Sequence, residues 1–254
     1  MSAFEAHGIR HLSYSAIDMF RTDPAAWLLR YPMKIKGGSN ANMWRGIAAE
    51  HGVEQYLMDE FGVMTVEQAV ELARKQFAKD TVLSGDVNGR EKAIADLEGY
   101  VTNAIEALKP FGRPAATQTR LSLRLEGCPV EIMGFDDFSY TDPNLSIDLK
   151  TTGRLPSDIM DNHKRQGSLY QAMRPDHDIK FCYVTPKKFA VYSLDKDEAA
   201  SILEEYKVTV KKMETFLSLS NDATELASIF APSYSSFYWN DPIMRSEAKR
   251  IFGV

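Results

Sequence analysis

The chain has 254 residues, of which 44% are hydrophobic and 26% charged, enough to bury a sizeable core in one domain and unlike a collagenous or low-complexity sequence. A formal charge of −5 speaks against coating nucleic acid by bulk electrostatics but not against a local grip on it, and Cys128 and Cys182 are too few for a disulfide framework or a zinc or iron–sulfur set. No apolar run approaches the roughly 20 residues of a membrane span, and the N-terminus has no basic region leading into an apolar stretch, so the expectation is a cytoplasmic protein without membrane partners.

Residues 11–32 begin with Ser13 or Ser15 as a helix cap and read as two short helical pieces broken by Pro24. A glycine-rich polar loop is expected over 34–42. Helical periodicity follows in 43–61, through Ile47, Glu50, Glu54 and Leu57, then in 65–80 with Thr65 as cap, and in 90–109. The period then changes. In 117–127, Leu121, Leu123 and Leu125 alternate with Ser122, Arg124 and Glu126, the pattern of a strand with one buried face. Turns at 127–129 and 141–144 lead into strands over 130–140 and 145–152, so three sequential strands form a meander. A helix is expected over 157–173 and a hairpin from 179–185 and 189–194. A long helix over 195–219 takes Asp195 as cap, with Glu198 in capping-box position, and a short helix falls near 223–230. The tail carries Tyr234, Phe237, Tyr238 and Trp239, which suit either stacking on unpaired bases or packing on the core.

Asp148 and Lys150 are two residues apart on one expected strand and therefore leave the same face of the sheet. Antiparallel pairing across the 141–144 turn brings Asp137 towards Asp148. Carboxylates so placed repel, and burying them uncompensated costs on the order of several kcal/mol. A hard divalent cation removes that cost, and Lys150 beside it suits an attacking water or the charge that develops at phosphorus.

These residues, 134–137 and 147–150, resemble the core of the PD-(D/E)XK nuclease superfamily, with Asp137 in the first acidic position, Asp136 as its reserve, and Asp148-Leu149-Lys150 as the (D/E)XK element. In the helix that follows, Gln166 and Tyr170 match the QxxxY arrangement of the RecB-like exonuclease branch and share one helical face. Residues 45–52 resemble the family's helical element in which a glycine is followed four positions later by Glu or His. Four from Gly46 is Glu50, whereas the histidine is His51, about 100° further round the helix. Glu50 is preferred, as in phage-type recombination exonucleases, with His51 as the alternative. Asp23-Pro24 stands where iron–sulfur members carry a cysteine, so no cluster is implied.

The resemblance implies an α/β (α+β) restriction-endonuclease-like core, a mixed central sheet flanked by helices, with an N-terminal helical region. It implies one domain over 1–254: a mainly helical part at 1–110, the catalytic sheet core at 115–195, and C-terminal helices and tail at 195–254. The activity implied is metal-dependent exonucleolytic hydrolysis at DNA ends in recombination or repair. Asp137, Asp148, Lys150, Gln166 and Tyr170 would be catalytic. Glu50, Asp137, Asp148 and the Leu149 carbonyl would hold Mg²⁺ or Mn²⁺, and Lys164, Arg165 and Tyr170 would contact DNA. Implied partners are DNA and a single-strand annealing or other recombination protein, in the host cytoplasm if the chain is phage-encoded, with homo-oligomers left open. Two further readings stand beside this one: a structure-specific endonuclease, and a catalytically inactive nuclease-like module that binds DNA or protein.

Overall fold

Side-chain caps fix where the N-terminal helices start. In the computed structural model, which describes residues 1–38, 40–83 and 89–253, a short helix α1 (Ala3–Ala6) leads to strand β1 (His11–Ser13). Ser13 Oγ accepts from Ala16 N to begin α2 (Tyr14–Thr22), and Asp23 Oδ1 accepts from Ala26 N to begin α3 (Pro24–Arg30). The Ser13 cap and the break at Pro24 thus fall where the sequence puts them. Neither α1 nor β1 shows in the sequence pattern, because segments this short have no measurable period. The loop expected over 34–42 includes residue 39, which lies outside the described residues, and its last two positions are already helical.

Helices α4 (Ala41–Met58), α5 (Val66–Thr81) and α6 (Arg90–Leu108) coincide with the three periodic stretches, and Thr65 closes a capping box with Gln68. Five more strands follow: β2 (Ala116–Leu123), β3 (Glu131–Thr141), β4 (Asn144–Thr151), β5 (Asp178–Val184) and β6 (Phe189–Ser193). Helix α7 (Asp161–Met173) makes the crossover between the parallel strands β4 and β5. The chain ends in α8 (Lys196–Leu217), α9 (Ala223–Leu226) and α10 (Pro242–Phe252). Glu198 does not complete a capping box on α8, since its carboxylate takes Lys164 Nζ at 2.9 Å instead.

The fold is α+β, with a mixed six-stranded sheet of order β1-β3-β4-β5-β6 and β2 added on β3. Strand β2 runs antiparallel along one edge of β3 from Ile132 to Ser139. The other edge is shared: β1 pairs in parallel with 131–133 and β4 antiparallel with 138–141, so residues 134–137 have no ladder partner on that side among the described residues. The acidic stretch therefore sits in an opening of the sheet.

Apolar residues divide between the two faces. Phe138, Tyr140, Ile147, Leu149 and Val184 pack with α4, α5 and α6, while Ile179, Phe181 and Tyr183 pack beneath α7 with Tyr170. A third cluster, around Trp27 and Trp239, joins α2 and α3 to α8 and α10. No helix among the described residues is long and apolar enough to cross a membrane.

Candidate active site

Strand alternation breaks beside the two adjacent aspartates. A Cβ on Gly134 would lie 2.6 Å from the Tyr170 ring, so position 134 faces α7. Phe138 packs instead with α4–α6, and its partner Thr117 bonds Glu54 of α4. In a regular strand 134 and 138 would share a face. The alternation therefore slips by one at Asp136–Asp137, opposite Gln118, whose φ of 46° is left-handed and which the β2–β3 register passes over.

As neighbours on a strand, the two carboxylates have different surroundings. Asp136 is buried: its Oδ2 accepts from Ser139 Oγ and Ser146 Oγ and has Arg174 Nε at 3.5 Å, while its Oδ1 has no hydrogen-bond partner among the described residues. Asp137 turns to the opening. Its Oδ2 accepts from Leu149 N at 2.9 Å and its Oδ1 from Gln118 Nε2 at 3.2 Å, and the same Gln118 amide donates to Glu50 Oε1. Asp137, not its reserve Asp136, is thus the neighbour of Glu50.

On β4, Asp148 Oδ2 lies 2.5 Å from Lys150 Nζ, as the shared face requires. Asp148 Oδ1 accepts from Gln166 Nε2 at 2.7 Å. Gln166 Nε2 also donates to Tyr170 Oη at 3.0 Å, and that hydroxyl donates to the Phe135 carbonyl at 2.7 Å. The QxxxY pair therefore ties Asp148 to the unpaired edge of β3. Helix α4 reaches the site because its near side is small: Ala48 and Ala49 are fully buried, and a Cβ on Gly46 would stand 3.2 Å from Thr151 Oγ1. Glu50 follows one turn later.

Burial pushes the Glu50 carboxyl up to about 7, with Asp148 and Glu54 adding to the rise and Lys150 opposing it. Burial likewise holds Asp137 well above the usual carboxylate range, reinforced by Asp148 and Glu50. Asp148 is also raised by burial, against the pull of Lys150 and Gln166. Burial alone would lower Lys150, but Asp148 and Asp137 outweigh it and keep the ammonium above the lysine range. One lysine thus offsets three mutually repelling carboxylates only in part.

Hard oxygen donors under mutual repulsion suit Mg²⁺ or Mn²⁺. Among the described residues no three His, Cys, Asp or Glu side chains stand together as a ready ligand group. The Gln118 amide lies between Glu50 and Asp137, and Lys150 lies against Asp148. The donor set fits a divalent cation in its chemistry, provided the Gln118 amide gives way.

Other expected residues lie apart from this cluster. His51 is half-buried on α4, a residue past Glu50, and takes no part in the hydrogen bonds described above. Lys164 is tied between Glu198 and Asp158, and Arg165 Nε is held by Asp18 Oδ1 at 2.6 Å on the wall of a cleft of about 420 Å³ with Tyr14, Tyr31 and Tyr238. Tyr170 is buried with its hydroxyl engaged on both sides, so of the expected DNA contacts it points into the protein and Lys164 is already neutralised. In the tail, Trp239 is core and Phe237 is exposed.

The sequence reading misses Gln118, which leaves no mark, since a left-handed residue inside a strand is invisible to side-chain alternation. It also misses His163, whose Nδ1 bonds Tyr183 Oη at 2.6 Å and whose imidazole is lowered to about 3 by burial and then by Lys150 and Arg165. Tyr183 stands opposite Lys150 in the β4–β5 register. The three-residue spacing of His163 and Gln166, which puts both on one face of α7, is the signal that reveals it.

No family model and no curated protein matches this chain. Among solved structures, one of a protein designated SSO0001 aligns with a TM-score of 0.35 and 16% identity over 63% of this chain and 85% of that one. A likeness this loose carries no argument about function.

Proposed function

We propose that this protein is a divalent-metal-dependent deoxyribonuclease of the PD-(D/E)XK type that hydrolyses phosphodiester bonds at DNA ends, in the cytoplasm and in the service of recombination or repair. The observation that carries the reading is the convergence of Glu50, Asp137, Asp148 and Lys150, from α4, β3 and β4, at the opening in the sheet, with Gln166 and Tyr170 bonded behind Asp148.

Glu50, Asp137 and Asp148 would hold Mg²⁺ or Mn²⁺, and a bound cation supplies Lewis acidity at a phosphoryl oxygen and a more acidic water. Lys150 stays an ammonium, so it donates hydrogen bonds and does not serve as a base; its task is to orient the attacking water and stabilise charge on the pentavalent phosphorus. Gln166 fixes one oxygen of Asp148, and Tyr170 fixes Gln166 against the Phe135 carbonyl, which holds the carboxylate in one rotamer. The choice of exonuclease over endonuclease rests on the QxxxY resemblance.

The test is incubation of the purified chain with linear DNA and with covalently closed circles, in Mg²⁺ or Mn²⁺ and in EDTA. Linear DNA should be consumed from its ends while closed circles survive, and EDTA or Asp148→Ala should abolish cleavage. Cleavage that persists in EDTA or in the Asp148→Ala variant sinks the metal-site assignment. Equal attack on closed circles makes the protein an endonuclease, and DNA binding without cleavage makes it an inactive module.

A further inference from the structure

The geometry points to a second element of substrate recognition: a basic groove beside the candidate active site that holds the phosphate backbone of the nucleic-acid strand being processed. This rests on the nuclease reading and goes beyond its motif residues. The groove encloses about 750 Å³ at the C-terminal ends of β4 and β5, where α4 and α6 meet the sheet. Among the described residues its walls carry Arg45, Lys92, Arg154, Lys187 and Lys188 and a single carboxylate, Asp96, which Lys92 Nζ holds at 2.6 Å. In a chain of net charge −5, such a concentration of cations runs against the overall balance.

Arg45 makes the groove a built site. It is only 8% exposed, its guanidinium stacks 4.3 Å over the Tyr100 ring, and one terminal nitrogen donates to Asn42 Oδ1 at 2.9 Å. Tyr100 is fixed in turn by donating its hydroxyl to the Thr152 carbonyl at 3.0 Å. Arg45 Nε is shut off from solvent and has no partner among the described residues, and no carboxylate among them pairs with the guanidinium. A phosphate oxygen is the acceptor that a fixed guanidinium without a carboxylate partner suits best. Arg154, Lys187 and Lys188 have no carboxylate within ion-pair distance among the described residues, so they too are available to an anion.

Position ties the groove to the chemistry. Thr151, on the groove wall, directly follows Lys150, and Gly46, on which a Cβ would meet Thr151 Oγ1 at 3.2 Å, directly follows Arg45. A phosphodiester at the carboxylate cluster would therefore lead its neighbouring phosphates into the groove. Cations spread over α4, α6, the segment after β4 and the β5–β6 turn match a series of phosphates better than a single one.

The test is the double variant Lys187→Ala/Lys188→Ala of the full chain, chosen because both side chains are exposed on the β5–β6 turn. Binding of a fluorescein-labelled linear duplex, with Ca²⁺ in place of Mg²⁺, is followed by anisotropy from about 50 to about 200 mM KCl. Loss of two phosphate contacts should weaken binding about tenfold or more and make the slope of log K against log salt shallower by about 2. Lys211→Ala/Lys212→Ala, on exposed α8, should leave slope and affinity as they are. If the Lys187/Lys188 variant keeps the wild-type slope while wild-type protein binds and cleaves DNA, the groove assignment falls and the nuclease reading stands. Wild-type protein that binds no DNA removes both. Displacement of the duplex by millimolar inorganic phosphate at constant ionic strength overturns the strand path in favour of a single-phosphate pocket.

Discussion

Glu50 stands closest to a change of state. Its carboxyl, at about 7, lies above the ordinary value of 4.5, so in metal-free protein it favours the fold below about 4.5 and that contribution is lost as pH rises through about 7. Asp137 and Asp148, also raised, act with the same sign. The melting temperature in EDTA should therefore fall across this window, the fall should shrink in Glu50→Gln, and Mg²⁺ should reverse it in the wild type; a flat profile would contradict the mutual repulsion described above. In the same variant, cleavage should drop about 100-fold or more with either metal, whereas His51→Ala keeps most activity. The opposite pattern would place the functional residue of α4 one position later. The resemblance puts Asp137 ahead of Asp136, and in the structure the two have different surroundings: Asp136 is buried among Ser139, Ser146 and Arg174, whereas Asp137 shares the Gln118 amide with Glu50.

The seating of α7 on β3 explains why position 134 is a glycine. Gly134 leaves room for the Tyr170 ring, whose hydroxyl then reaches the Phe135 carbonyl and steadies Gln166. Gly134→Ala puts a methyl carbon where 2.6 Å is all the space there is, so α7 must lift or Tyr170 must turn. The expected cost is about 1–3 kcal/mol in urea unfolding, with a fall in activity as Gln166 leaves Asp148. Wild-type stability and activity in this variant would show that the contact is not what holds α7. Helices with side-chain caps and strands with alternating leucines are readable one by one from the sequence. Strand β1 is not, since its place depends on pairing in parallel with a strand more than a hundred residues away. The tail resists for a related reason: its aromatics answer to Trp27 and Asp23, not to a local period.

Across the molecule, the N-terminal pieces are held by the C-terminal ones. Trp239 Nε1 donates to Asp23 Oδ2 at 2.6 Å, while the other oxygen of the same buried carboxylate caps α3. Trp239→Phe keeps the ring packing but strands that oxygen, which should cost about 1–3 kcal/mol by urea unfolding. No loss of stability would mean that packing alone joins the ends.

The same arrangement has a consequence in time. Ala3 is bonded to Glu214, His7 to the carbonyls of Leu217 and Ser220, and Asp23 to Trp239, each pair more than two hundred residues apart. During synthesis on a ribosome, α1–α3 emerge before α8 and α10 and cannot make these contacts until both have been added. Helix α2 supplies Asp18, which anchors Arg165 beside the QxxxY face. The surroundings of the candidate active site are thus completed only after α8 and α10 have been made, later than every strand that carries its carboxylates.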